Sequence, residues 1–209
     1  MKNFAFILSL FAFCCLSAGA NAGIIPDKWD IKVKYGIEWG YTATFIENYH
    51  ANYFDPDDGY RIDNRYTRLY LYSNANIAAK IGIEMRNHYS ATVLAGYAGI
   101  KQERRTIPIA FRMAYFPVST ESDGWMYFGE GGVGFHLDSY NLTGIFRAGT
   151  GYRLKLSRKS SLDFLASIQM SVDHPAIYNM NNAQYVPNYY VMSSNGLYGA
   201  LNFSISMNF

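Results

Sequence analysis

The chain has 209 residues, 50% hydrophobic and 17% aromatic, with 18 Lys+Arg against 16 Asp+Glu and a formal net charge of +2. That balance argues against a nucleic-acid binder, which carries a basic excess. The two cysteines, Cys14 and Cys15, both lie in the N-terminal apolar run, so the rest of the chain has no disulfide scaffold, thiol nucleophile or thiolate metal site.

That N-terminal run reads MKNFAFILSLFAFCCLSAGANA, with Lys2 at its head, apolar residues from Phe4 to Leu16, and Ala20 and Ala22 flanking Asn21. A charged start, an apolar centre and an A-x-A site predict a cleaved Sec-type signal peptide over 1–22, leaving one domain at 23–209. The apolar run is too short for a spanning helix. Lipidation at Cys14 or Cys15 does not fit Phe13, which stands where that pathway takes a small residue. Removing Lys2 leaves 17 basic against 16 acidic residues. Beyond Leu16 no apolar stretch is long enough for a helix to cross a bilayer, so a membrane location requires a closed β-barrel.

Period-two alternation then runs through the chain. In DIKVKYGIEWGYTATF (30–45), Ile31, Val33, Tyr35, Ile37, Trp39, Tyr41, Ala43 and Phe45 share one face, and Lys34, Glu38 and Thr42 the other. Segment 67–85 places Leu69, Leu71, Ile77 and Ile81 outward, with Arg68, Lys80 and Glu84 inward. Segment 90–101 alternates weakly. Segment 106–116 sends Ile107, Ile109, Phe111 and Met113 out and Arg112 in. Segment 125–137 sends Trp125, Tyr127, Val133 and Phe135 out, with Glu130 and His136 in. Segment 143–156 turns Arg147, Arg153 and Lys155 inward, and segment 162–172 turns Asp163 and Gln169 inward, with Asp173 next to it. The last segment, 197–209, alternates Leu201, Phe203, Ile205, Met207 and Phe209 with Asn202, Ser204, Ser206 and Asn208.

Eight amphipathic segments predict an all-β fold, an eight-stranded antiparallel up-and-down transmembrane barrel. Long polar stretches at 47–65 and 173–196 alternate with short turns at 86–89, 117–124 and 158–161, although the connections near Gln102 and Ser139 are brief. A periplasmic N-terminus then puts the long stretches outside. A water-soluble β-sandwich or lipocalin-like barrel alternates as well, with its apolar face inward. The aromatic load, the glycines on the charged face (Gly36, Gly40, Gly82, Gly96, Gly132, Gly134, Gly149, Gly151) and the apolar ending favour lipid outside.

The ending resembles the β-signal of outer-membrane proteins, a last strand with apolar residues at alternate positions and a terminal Phe. Leu201, Phe203, Ile205, Met207 and Phe209 occupy those positions. With the export signal and eight segments, the chain resembles the small eight-stranded outer-membrane barrels of the OmpX and OmpA-membrane-domain type. The Tyr/Asn-rich loops resemble those of small barrels of Bacteroidota. The resemblance implies residence in the outer membrane of a Gram-negative bacterium, contact with its lipid and lipopolysaccharide, and handling by the barrel-assembly machinery.

The charged face supplies the first candidate site: Lys34, Glu38, Arg68, Lys80, Glu84, Arg112, Glu130, Arg147, Arg153, Lys155, Asp163 and Asp173. An eight-stranded lumen is just wide enough for side chains, so these ions are expected to pair into a plug rather than line a diffusion pore. A narrow ion path is the channel alternative. Lipid A deacylases, which also resemble candidates here, use a His-x-Ser pair. His88-Tyr89-Ser90 has that spacing, but Ala91 replaces the asparagine common in that family, and the triplet falls in a periplasmic turn. The four histidines and the Asp55/Asp57/Asp58/Asp63 group lack metal-ligand spacing, so no metal or other cofactor is expected. The 174–196 stretch carries Tyr178, Tyr185, Tyr189 and Tyr190 among asparagines, a composition suited to surface recognition. The expectation is a non-enzymatic envelope protein with a structural or surface-interaction role, with an envelope protein as possible partner.

Overall fold

A computed structural model describes residues 31–101, 104–137, 141–157, 159–179 and 184–209. The expected signal peptide over 1–22 and the brief connections at Gln102 and Ser139 lie outside the described residues. The described residues form ten strands: β1 (Ile31–Phe54), β2 (Arg61–Met85), β3 (Tyr89–Lys101), β4 (Arg104–Tyr115), β5 (Gly124–His136), β6 (Leu142–Lys155), β7 (Ser161–Asp173), β8 (Tyr178–Asn179), β9 (Gln184–Tyr185) and β10 (Val191–Asn208). Eight of them close a barrel in the order β1-β10-β7-β6-β5-β4-β3-β2, every pair antiparallel, while β8 and β9 form a separate ribbon. Closure follows from the last strand. Trp39 pairs Ile205 and Gly36 pairs Asn208, and beyond the ladder Phe209 and Tyr35 exchange backbone hydrogen bonds of 2.8 and 3.3 Å.

The alternation settles as lipid-side apolar and lumen-side polar. Val33, Tyr35, Ile81, Ile109, Phe164, Ile168 and Phe203 are exposed on the outer face, while Glu38, Arg112, Glu130, Arg153 and Asp163 are buried. A water-soluble barrel requires the reverse. Among the described residues no helix is long and apolar enough to cross a membrane; the strands of the ring satisfy one another's backbone groups all round, as a membrane-spanning barrel requires.

Glycines on the lumen face allow the tight curvature of so narrow a barrel. A Cβ on Gly96 would stand 2.0 Å from the Ile77 carbonyl oxygen, and one on Gly149 2.2 Å from that of Ala166. At these points the neighbouring strand occupies the space a side chain needs. At the β2–β3 hairpin, Arg86 and Asn87 both take positive φ (53° and 57°), the type I′ arrangement whose twist matches the flanking strands.

Two expected loops are shorter than the sequence implies. The polar stretch 47–65 is mostly strand, because β1 and β2 continue as a ladder to Phe54↔Arg61 and only 55–60 turn. Likewise β10 starts at Val191, so the last long connection is 174–190. Polar composition misleads here because the projecting hairpin has its own core: Ala51 and Tyr53 bury against Ile177 and Val186, with Tyr49, Ile62 and Tyr190 packed around them. Asp55, buried at the hairpin tip, accepts from the Asp57 and Asp58 amides (2.9 and 3.4 Å) and from Asn179 Nδ2 (3.3 Å), tying tip to loop. The result is a small cap above the barrel rim.

Candidate functional site

Strands β1, β4, β5 and β6 turn the side chains at alternate positions into one lumen layer, and there the charges meet. Arg112 is the hub. Its Nη1 and Nη2 donate to the two oxygens of Glu38 at 2.6 and 2.9 Å, while Nε and Nη2 donate to Glu130 Oε2 at 2.9 and 2.6 Å. Arg147 completes the chain, donating to Glu130 Oε1 (3.0 Å) and Gln169 Oε1 (2.8 Å). Ser204 Oγ donates to Glu38 Oε1 at 3.1 Å. A planar guanidinium between two carboxylates satisfies them bidentately, which a lysine cannot do.

Nearer the chain termini a second group forms. Arg153 donates to both oxygens of Asp163 (2.7 and 3.0 Å), to Glu84 Oε1 (2.7 Å) and to the Thr120 carbonyl (2.9 Å). Asn208 Nδ2 donates to Asp163 Oδ2 at 2.9 Å, so the last strand joins the network. An apolar layer that sequence reasoning missed surrounds these ions: Phe116, Met126, Phe128 and Leu165 are buried on the lumen side. The Arg112 guanidinium lies 4.8 Å over the Phe128 ring and that of Arg153 lies 4.3 Å over Phe116. Trp125–Phe128 is apolar at four consecutive positions, which is the signal that both faces of β5 are buried there, one by lipid and one by the plug.

The segment after β4 folds under the barrel. The Phe116 amide donates to the His88 carbonyl (2.7 Å), the Thr120 amide to the Asn87 carbonyl (2.7 Å), and Lys32 pairs with Glu121. Between this floor and the Arg112 layer remains a cavity of about 20 Å³, lined by Lys34, Lys80, Glu84, Asp163 and their neighbours. That volume holds a water or two, not a conduit. The outer half of the lumen is filled as well. Asn76 and Asn202 donate to Thr42 Oγ1 (3.1 and 2.7 Å), Ile100, Ile145 and Tyr198 are buried, and His136 Nε2 lies 2.7 Å from Thr143 Oγ1 and 3.3 Å from Asp173 Oδ1.

Of the predicted lumen ions, Glu38, Glu84, Arg112, Glu130, Arg147, Arg153 and Asp163 fall into the two groups just described. Asp173 pairs with His136 at the outer rim, and Lys80 lines the residual cavity. Lys34 reaches the Lys159 carbonyl (3.4 Å) and Lys155 lies at the termini-side rim. Arg68 differs from expectation: it is exposed on the projecting hairpin, opposite Glu47, its guanidinium 4.3 Å over the Tyr66 ring. At that height β2 pairs with β1 alone among the described residues, so its inner face has no lumen to point into.

His88 Nδ1 lies 2.9 Å from the Phe116 carbonyl oxygen, so the imidazole of the His-x-Ser triplet is engaged in tying two turns together. Among the described residues no group of His, Cys, Asp and Glu has metal-holding geometry. On the cap, Tyr178, Tyr185 and Tyr189 are exposed; Tyr178 and Tyr185 meet edge-on at 5.3 Å across the β8–β9 ribbon. Tyr190 instead packs into the cap core. The final-strand residues Leu201, Phe203 and Phe209 are exposed on the lipid face, with Ile205 and Met207 half-buried beside them.

No protein-family model matches the chain, and no curated protein does. Among solved structures, the outer membrane protease OmpT from Escherichia coli aligns with 88% of this chain and 98% of its own, at 9% identity and a TM-score of 0.36. A likeness of that size carries neither a site nor an activity to this chain.

Proposed function

We propose that the protein is a non-enzymatic outer-membrane barrel that acts through its outer cap, with the lumen serving as a fixed ionic plug. The chain termini face the periplasm in this reading, and the cap faces the cell exterior. The observation that carries it is the Arg112 layer. Glu38 and Glu130 hold one guanidinium at hydrogen-bond distance, and Arg147 backs Glu130 from the other side, so that four buried or half-buried ionic side chains fill this level of the lumen. Such a plug stabilises register and shape rather than moving solute. The exposed tyrosines of the cap supply rigid contact area for a protein or other envelope partner. In biogenesis, Leu201, Phe203, Ile205, Met207 and Phe209 would be the strand read by the assembly machinery.

Planar-bilayer recording of the folded protein tests the plug. The expected outcome is a flat baseline. Reproducible unitary steps in the wild-type protein would replace this reading with the narrow channel.

A further inference from the structure

The outer wall of the barrel has a concavity unrelated to the lumen or the cap. It is a groove of about 530 Å³ crossing the lipid faces of β5, β6, β7, β10 and β1. Its ridge is a cross-strand row in register: Trp39 opposite Ile205, then Phe164, Tyr152 and Trp125. Trp125 and Tyr152 meet edge-on at 5.5 Å and fix one end. In the next row Ala166 and Thr150 are adjacent, and their short side chains make the depth.

The lining offers a ligand almost nothing but carbon. The Thr150 hydroxyl donates to the Met126 carbonyl (2.9 Å) and that of Ser204 to Glu38 (3.1 Å), so the two aliphatic hydroxyls are already engaged. Aromatic and aliphatic carbon makes up most of the remaining lining, with polar atoms only at the tips of Trp39, Tyr41, Trp125 and Tyr152, and a groove of that make-up favours hydrocarbon. It is continuous with the lipid-facing surface, so hydrocarbon is at hand.

Its depth in the membrane identifies the leaflet. On β10, β7 and β6 the groove lies three to five residues from Asn208, Ser161 and Lys155, the strand ends beside the termini. At ~3.3 Å per residue and a tilt near 40°, that is roughly 8–13 Å from the rim, within the nearer half of an apolar band ~25 Å tall. The β6–β7 turn below it exposes Lys159, a cation at headgroup level.

We infer that this groove is a resident site for one acyl chain of a phospholipid in the periplasm-facing leaflet, its phosphate near Lys159. The inference rests on the membrane orientation proposed above. Small residues between aromatic ridges hold a chain by shape, and the lysine adds attraction to an anionic headgroup.

The test begins with fractionation of cells expressing the full chain. Recovery in the aqueous fraction would overturn the membrane reading and this inference with it. From membranes, the wild-type protein and the variants Ala166→Phe and Ala95→Phe are purified in mild detergent and their retained molecules counted by native mass spectrometry. Ala95 lies on the lipid face of β3, away from the groove. The expected result is one phospholipid held by wild type and Ala95→Phe, with retention falling about ten-fold in Ala166→Phe, the worth of burying roughly two methylene groups. Equal retention in all three would overturn the site while leaving the membrane reading intact. Retention of lipopolysaccharide, or of a protein in place of lipid, would overturn it too. Should Ala166→Phe fail to fold, vesicles containing phosphatidylglycerol with a diazirine on its acyl chain decide the matter on wild type. Labelling concentrated on the peptides of Tyr152 and Phe164 supports the site, and labelling spread evenly over the lipid-facing strands overturns it.

Discussion

Arg112 donates four hydrogen bonds to two carboxylates, and those carboxylates are buried with it. Removing the guanidinium leaves Glu38 without its guanidinium partner and Glu130 with Arg147 alone, in a medium that solvates carboxylates poorly. Arg112→Met is therefore expected to lower stability by about 3–5 kcal/mol, the cost of breaking a buried pair from one side. Urea midpoints of the protein folded in lipid vesicles measure it. Arg112→Lys should recover only part of the loss, because an ammonium cannot reproduce the fork that meets Glu38 and Glu130 together. His88 makes the opposite case. Its ring is occupied with the Phe116 carbonyl, so His88→Ala and Ser90→Ala are expected to leave the lipid A mass spectrum of the host unchanged. A shift in lipid A mass that depends on these two residues would restore the deacylase reading.

At the scale of elements, the last strand and the tight glycine contacts each make a claim. Phe209 stacks on Tyr35 at 5.9 Å and closes the β1–β10 seam through its backbone. Backbone bonds survive a side-chain truncation, so Phe209→Ala should change the urea midpoint in vesicles little. If the residue is an assembly signal, the same variant should accumulate far less folded barrel in cells. A comparable loss in both assays would make Phe209 a packing residue and nothing more. Gly96 lies where the Ile77 carbonyl leaves no room for a Cβ. Gly96→Ala is expected to cost about 1–3 kcal/mol by the same denaturation assay, since β2 and β3 must separate to admit the methyl group.

For the whole molecule, the decisive matter is which face meets lipid. Ile81 is 60% exposed on the outer wall. A charge there enters hydrocarbon if the barrel spans a bilayer and enters water if it does not. Ile81→Arg should therefore destabilise the vesicle-folded protein by about 2–4 kcal/mol near the midplane, less toward either interface. A neutral result would mean that this wall is not in lipid. The inward ions make the complementary point: with the Arg112 and Arg153 groups paired internally, the barrel can present an apolar band outside.

Alternation was enough to place the eight barrel strands and to sort their side chains into two faces, while the aromatic load, the glycines of the charged face and the apolar ending were needed to say which face is inside. This follows because side chains in a strand have only two directions, so one polar residue per two positions orients the whole segment. The same local rule fails wherever a third layer covers a face. Phe116, Met126 and Phe128 look like surplus hydrophobes until the barrel closes and gives them an interior. Arg68 looks like a lumen ion until the hairpin rises past its neighbours and the lumen ends. Glu47–Arg65 looks like a loop until Ile177 and Val186 arrive from across the rim to bury its tyrosines. Which carboxylate holds which guanidinium was likewise beyond the sequence, because Glu38 and Arg112 lie 74 positions apart and only ring closure makes them neighbours. Direction is a property of each residue along its own strand. Partnership depends on shear and closure of the entire sheet.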